Sequence, residues 1–152
     1  MHKRVVPILL GAALIVGIAA SPALATKGDT ATGGGQTSSY NFTFGAQDNG
    51  KLGVTGSADV AALGQGGYHY YGTIVSFSTC GSRARMVVRL AKNSWYTDSG
   101  YITLNVWDRG EGSNASSTDR VQWTSGPNGP LACLTPSSYL IKGNVQVAGT
   151  AF

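Results

Sequence analysis

Four oxygen-bearing side chains lie close together in one glycine- and serine-rich segment: Asp108, Glu111, Asn114 and Asp119. Carboxylate and amide oxygens are the hard donors that calcium prefers, and loop carbonyls between them could complete a coordination shell. The spacing differs from that of an EF-hand, so the segment predicts an irregular calcium site, at which calcium would raise the melting temperature and chelation would lower it. The alternative is that Asp108 and Glu111 cap turns or pair with Arg109 and Arg120.

Aromatic side chains are numerous for so short a chain, which contains 3 Trp and 7 Tyr. Four of them fall in one stretch of the sequence: Trp95, Tyr96, Tyr101 and Trp107. Exposed rings on a β domain can stack on sugar faces or anchor a protein partner, so these four are predicted to bind a ligand. The alternative is that Trp107 and Trp123 are ordinary core residues.

Patterns of enzyme chemistry are weak in this sequence. Apart from His2 the only histidine is His69, no Gly-x-Ser-x-Gly motif accompanies it, and the sequence lacks the ligands for a zinc site. Asp108, Glu111 and Asp119 could serve as the paired carboxylates of a glycosidase, but a small chain offers little material for a deep cleft. The sequence therefore favours a protein that is not an enzyme and that has no cofactor other than the predicted calcium.

The two cysteines, Cys80 and Cys133, are predicted to form one disulfide. A closed loop of this length is worth roughly 4 kcal/mol in the chain-entropy model. Neither a second cysteine nor a histidine nearby supports a metal pair or a reactive thiol.

The first 25 residues have the pattern of a cleavable signal peptide. His2, Lys3 and Arg4 precede an apolar run, and Ala23-Leu24-Ala25 has small residues at the positions that a signal peptidase requires. Glycines, Ser21 and Pro22 interrupt the run, which argues against a membrane anchor. The protein is therefore predicted to be secreted or associated with the cell surface, with no membrane contact after cleavage.

Beyond the leader, residues 26–39 are predicted to be a flexible Gly/Ser/Thr-rich arm or a weak edge segment, and residues 40–152 a single domain. Cleavage removes two of the 11 basic residues, so nine remain against 7 acidic ones, for a net charge of +2. One basic group is conspicuous in the domain: Arg83, Arg85, Arg89 and Lys92. At this net charge the group is expected to be a solvated strand face rather than a polyanion site, and nucleic acid is not an expected partner.

Alternation of apolar and polar residues dominates the domain. Two segments show it clearly. In one, polar or outward positions alternate with Ala84, Met86, Val88 and Leu90, and in the other they alternate with Ile102, Leu104 and Val106. Turn signals such as Asp48-Asn49-Gly50 separate the segments, and only residues 57–63 allow a short turn of helix. The pattern predicts an all-β fold, a β-sandwich or small barrel of about seven or eight antiparallel strands.

Several short motifs occur together along the domain: Gly33-Gly34-Gly35, Phe42–Gly45, Tyr71–Ser76, Leu104–Gly112 and Gly143–Val147. In this order they resemble the post-COAP domain, a group of short secreted or surface-attached bacterial domains frequent in actinobacteria. The chain departs from that pattern at Gly112, where proline is common, and in carrying Trp107. The resemblance implies an exported β domain and no particular activity.

Together these patterns predict an exported β domain that binds an extracellular or cell-envelope ligand, with a glycan slightly favoured. A protein-directed module is the second interpretation, either a structural surface protein or a protease inhibitor whose inserting loop is Asn128–Pro136. A small hydrolase using His69 or Asp108 is the third. No pattern in the sequence sets an oligomeric state.

Overall fold

The computed structural model describes residues 28–64, 66–95, 97–110, 118–128, 133–140 and 142–149 of the chain. Within them the chain forms nine β-strands and one short 3-10 helix at Gly50–Leu52. The strands are β1 (Thr30–Gln36), β2 (Tyr40–Asp48), β3 (Val54–Ala62), β4 (His69–Cys80), β5 (Arg83–Leu90), β6 (Tyr101–Trp107), β7 (Arg120–Ser125), β8 (Ser138–Tyr139) and β9 (Lys142–Ala148). Among these residues no helix is long and apolar enough to cross a membrane.

All nine strands belong to one antiparallel sheet, in the order β8-β7-β6-β5-β4-β3-β2-β1-β9. Each strand from β1 to β7 pairs with the next along the chain, and β9 returns to pair with β1. The sheet curls around its own inner face as an open half-barrel. The predicted all-β class is confirmed, with a small, incompletely closed barrel as its form.

Alternation places one side of the long strands in the core, and a register shift at Ile74–Ser76 interrupts it in β4. Phe42 and Phe44 of β2, Met86 of β5 and Leu104 of β6 are buried, while their sequence neighbours on β2 face outward. Other side chains that are almost fully buried are Val60, Ile74, Val88, Ile102, Val106, Val121 and Val145. The apolar inner face is the main favourable contribution to folding, at about 25 cal/mol per Å² of buried apolar surface.

The prediction of a flexible arm at residues 26–39 is wrong for Thr30–Gln36, because this segment is strand β1 and has partners on both sides. Its glycines are what permit this placement. A Cβ atom at Gly35 would lie 2.3 Å from the carbonyl oxygen of Lys142, so only glycine lets β1 and β9 approach so closely. Low apolar content therefore reflects close backbone packing here rather than disorder. The predicted signal peptide, residues 1–25, lies outside the described residues.

Two carboxylates, one directly after β6 and one directly before β7, join this part of the sheet to the edge strand β9 and form a seam. Asp119, which is 0% exposed, accepts the backbone N–H of Val145 in β9 at 2.8 Å through Oδ2 and the N–H of Arg109 at 2.9 Å through Oδ1. Asp108 accepts the N–H of Val147 in β9 at 3.1 Å. These bonds satisfy β9 donors that would otherwise form an open sheet edge.

Tyr40 spans the interior from the start of β2, and its hydroxyl donates to the carbonyl oxygen of Val121 in β7 at 3.3 Å. Burial is the main reason that the pKa of this phenol is raised to about 12, while a hydrogen bond with Ser138 opposes the shift and the nearby Tyr68 contributes a smaller increase. The neutral hydroxyl is thus the form that the folded protein requires.

Replacing Asp119 with alanine should lower the free energy of unfolding by about 3 kcal/mol, because buried N–H donors lose a charged acceptor. Urea denaturation measures this loss. The control is Asp98→Ala in an exposed turn, which should change stability by less than about 0.5 kcal/mol. Equal stability of the two variants would contradict the role of Asp119 in the seam.

Stability should also fall as the pH rises from 10 toward 12. Over this interval the unfolded chain loses the Tyr40 proton while the folded chain keeps it, because the folded pKa is about 12 and the ordinary pKa of tyrosine is 10.0. The slope contributed by this one group is at most about 1.4 kcal/mol per pH unit, and below pH 10 its contribution is fully present. Urea midpoints at pH 9, 10 and 11 test this, and Tyr40→Phe should show a flatter pH dependence; an unchanged dependence would contradict it.

Candidate functional site

The four aromatic residues predicted to bind a ligand do not form one surface. Trp95, in the turn after β5, is 52% exposed. Tyr101 and Trp107 are the first and last residues of β6, which separates them by about 20 Å at strand spacing. Tyr96 lies outside the described residues. Trp95 and Tyr101 thus belong to one end of the sheet and Trp107 to the other.

Arginine side chains surround the Trp107 ring. The guanidinium carbons of Arg83, Arg109 and Arg120 lie 4.2, 4.5 and 5.6 Å from the ring centre. The ring nitrogen donates to the hydroxyl of Ser82 at 3.2 Å. These cation–π contacts use the ring face that a sugar would otherwise stack against.

Trp123 packs against the core, as the alternative interpretation expected for both Trp107 and Trp123. Its ring centre lies 4.9 Å from those of Tyr68 and Tyr70, and its Nε1 donates to the Tyr68 hydroxyl. Trp123 packs against the buried core from β7. Trp107, in contrast, lies on the outer face of the sheet.

Of the four predicted calcium ligands, the described two already have partners. Asp108 and Asp119 accept backbone N–H groups, as given above. Glu111 and Asn114 fall outside the described residues, and within the described part no group of three or more His, Cys, Asp or Glu side chains could hold a metal ion. The calcium site stays a prediction.

The Cys80–Cys133 disulfide is confirmed, with a Cα–Cα distance of 5.3 Å. It ties the segment after β7 to the end of β4, and it indicates an oxidising compartment. Arg83 donates to the carbonyl oxygen of Cys133 at 2.9 Å, and Arg85 donates to that of Pro127. Cys133 of the predicted inserting loop, Asn128–Pro136, and Pro127 directly before that loop are therefore held against β5.

A broad groove lies on the outer face of β2, β3 and β4. It has a volume of about 550 Å³, within the range of small-molecule sites. Its outward-facing lining consists of Thr43 and Gly45 from β2, Ser57 and Asp59 from β3, and Tyr71 from β4. Strand pairing sets this arrangement, since Asp59 is opposite Thr43 on one side and Tyr71 on the other. No atom lies within 4 Å of where a Cβ of Gly45 would be, so the floor is open.

One end of the groove carries an acid, an imidazole and a phenol in contact. His69 Nε2 lies 2.8 Å from Asp59 Oδ2, and the His69 and Tyr71 ring centres are 5.0 Å apart. The turn after β5 borders this end, because the Trp95 N–H donates to the His69 carbonyl oxygen and the Tyr71 N–H donates to Ser94 Oγ.

A hydrolase would need a nucleophile beside this histidine. No side-chain hydroxyl of the described residues is hydrogen-bonded to the His69 ring, and its one partner there is Asp59. The pair thus resembles two thirds of a catalytic triad but has no hydroxyl in place within the described chain.

Sequence reasoning did not select Tyr71 and Asp59 as site residues, although a usable signal exists. Thr43, Ser57, Asp59 and Tyr71 occupy outward positions of their strands. Alternation alone could have placed them on one face, but the pairing register that brings them together depends on the folded sheet.

No protein-family model, no curated protein and no solved structure matches this chain. The resemblance to the post-COAP domain therefore stays a prediction, and the functional argument rests on the geometry of the groove.

Proposed function

We propose that this protein is an exported, non-enzymatic glycan-binding domain whose binding site is the groove on β2, β3 and β4. The observation that carries the proposal is the placement of the Tyr71 ring beside the Asp59 carboxylate in a groove otherwise lined by hydroxyls and glycine. Calcium is not required at this groove.

Sugars present two kinds of surface, and the groove has a counterpart for each. The part-exposed Tyr71 ring, with His69 at its side, can stack on the C–H face of a pyranose. Asp59 can accept hydrogen bonds from sugar hydroxyls, and charge makes such bonds stronger than neutral ones. Thr43 and Ser57 add hydroxyls that donate and accept.

The open floor at Gly45 lets a flat ring approach the sheet surface without meeting a side chain. All of these groups stand on paired strands, which position side chains more firmly than loops do. Trp95, 52% exposed beyond the same end, would extend the contact to a longer polymer.

Secretion or attachment to the cell surface is part of this proposal. The signal-peptide pattern of residues 1–25 and the disulfide both support it. A protein in this location would be exposed to extracellular glycans and wall polymers, which are therefore the proposed ligands. The protein-directed interpretation has less support, because Cys133 of Asn128–Pro136 and the preceding Pro127 are hydrogen-bonded to the sheet.

The test is retention of the protein, purified from the culture medium, on insoluble peptidoglycan, chitin and cellulose. Tyr71→Ala should weaken retention on the bound polymer by about tenfold or more, since loss of about 1.4 kcal/mol has this effect. Trp95→Ala should weaken it less, and Tyr71→Phe should keep most of it because the ring remains. The intact mass also shows whether cleavage after Ala25 occurs.

Val75→Ala is the matched control, because Val75 is an exposed residue of the same strand that does not line the groove. It should bind as the wild type does. Retention that survives Tyr71→Ala unchanged would exclude the groove, and no retention on any of the three polymers would contradict a wall-glycan ligand.

A further inference from the structure

We propose that a second site, formed by Arg83, Arg109 and Trp107 with Asn105 beside them, binds the oxygens of a phosphate-type anion. It lies on the outer face of β5 and β6 and is separate from the glycan groove on β2, β3 and β4. The proposal does not depend on the glycan-binding function.

The sheet register concentrates positive charge at this point. Arg83 of β5 is paired with Trp107 of β6, and Arg109 follows Trp107 by two residues. Both guanidinium carbons lie within 4.5 Å of the same ring centre. Two like charges so close repel each other, and at about 9 Å or less in a part-buried setting salt does not fully screen them.

Neither Arg83 nor Arg109 forms an ion pair with a carboxylate of the described residues. The one ion pair between two described residues joins His69 to Asp59, on another part of the sheet. Asp108 and Asp119 are near in sequence or space, and they accept the backbone N–H groups of Gly110, Val147, Arg109 and Val145. The Arg109 side chain contacts the Trp107 ring and is exposed, and the Arg83 side chain contacts the same ring and the Cys133 carbonyl oxygen.

Buried donors next to the cluster lack an acceptor, which is an independent sign of a ligand. Asn105, 3% exposed, has no hydrogen-bond partner for either amide atom. The Nε atoms of Arg83 and Arg85 are buried and likewise without a partner. Asn105 is paired with Arg85 and lies two residues before Trp107 on the same face. An unpaired buried donor costs about 1–3 kcal/mol, and an oxyanion is the acceptor that several N–H groups can share.

Guanidinium groups favour phosphate-type oxyanions among possible ligands. The planar fork of arginine donates two parallel hydrogen bonds to adjacent phosphate oxygens. Trp107 holds the forks in place while its ring stays part-buried. Arg109 is exposed and Arg83 is part-exposed, so an anion can reach both from solvent. The same phosphate oxygens occur in free phosphate and in polymers linked by phosphodiesters.

The test is calorimetric titration of the wild-type protein with inorganic phosphate and with poly(glycerol phosphate) at low ionic strength, together with the shift in melting temperature. Binding should weaken at least tenfold in Arg83→Gln and in Arg109→Gln. Arg89→Gln is the matched control, since it removes the same charge from an exposed position of the same strand and should leave binding unchanged. Binding to the polymer that is tighter than to the free ion identifies a phosphodiester polymer as the source, and equal affinity per phosphate identifies free phosphate.

Absence of phosphate binding at millimolar concentration and low salt would overturn the proposal. Equal weakening in Arg89→Gln would do so as well, because it would show attraction to overall charge rather than a site. Glu111→Gln is a further check on the carboxylate two residues beyond Arg109. Phosphate binding that appears only in this variant would mean that Glu111 neutralises the arginines, and that no external anion is needed.

Discussion

A half-barrel made from one sheet leaves backbone N–H groups of its edge strands without a strand partner. Here the buried carboxylate of Asp119 accepts one of them, from Val145 in the edge strand β9. β8 and β9 lie at opposite ends of the strand order although only two residues separate them in the chain. Asp119 joins the region after β6 to β9 by accepting the N–H groups of Arg109 and Val145. Burial of a carboxylate is unfavourable unless such donors surround it, so the seam and the acid depend on each other.

The seam also determines what the outer face can bind. The chain leaves β6 at Trp107, and the two residues that follow immediately have opposite roles. Asp108 bonds to β9, while Arg109 stacks on the Trp107 ring. Because the Asp108 carboxylate bonds to β9, it does not form an ion pair with the neighbouring Arg109. Arg83 and Arg109 therefore have no ion pair with a carboxylate of the described residues. The stability of the barrel and the charge of its surface are thus linked at adjacent positions.

Much of the sheet could be predicted from local pattern, and what could not be predicted depends on distant contacts. Met86 and Leu104 sit where alternation places them, because an inward apolar position needs only a period of two. β1 is not evident from its own residues. Gly33–Gly35 is typical of a flexible segment, yet it is part of a strand paired on both sides. Its glycines follow from how closely the neighbouring strands approach, which a single segment does not reveal. For the same reason the sequence does not show that Asp119 bonds to β9, since its N–H partner Val145 is 26 residues away.

The two proposed sites share one outer face but use different physical interactions. The groove on β2, β3 and β4 offers hydroxyls, one ring and one carboxylate, so its contacts with a neutral sugar depend little on ionic strength. The arginine cluster acts through charge, which salt screens over about 10 Å at 0.1 M. On the strand nearest the cluster, Arg83 and Arg85 of β5 donate to the carbonyl oxygens of Cys133 and Pro127. The disulfide therefore does more than stabilise the fold, because it fixes Cys133 beside Arg83 and so helps to position a cationic side chain on the outer face.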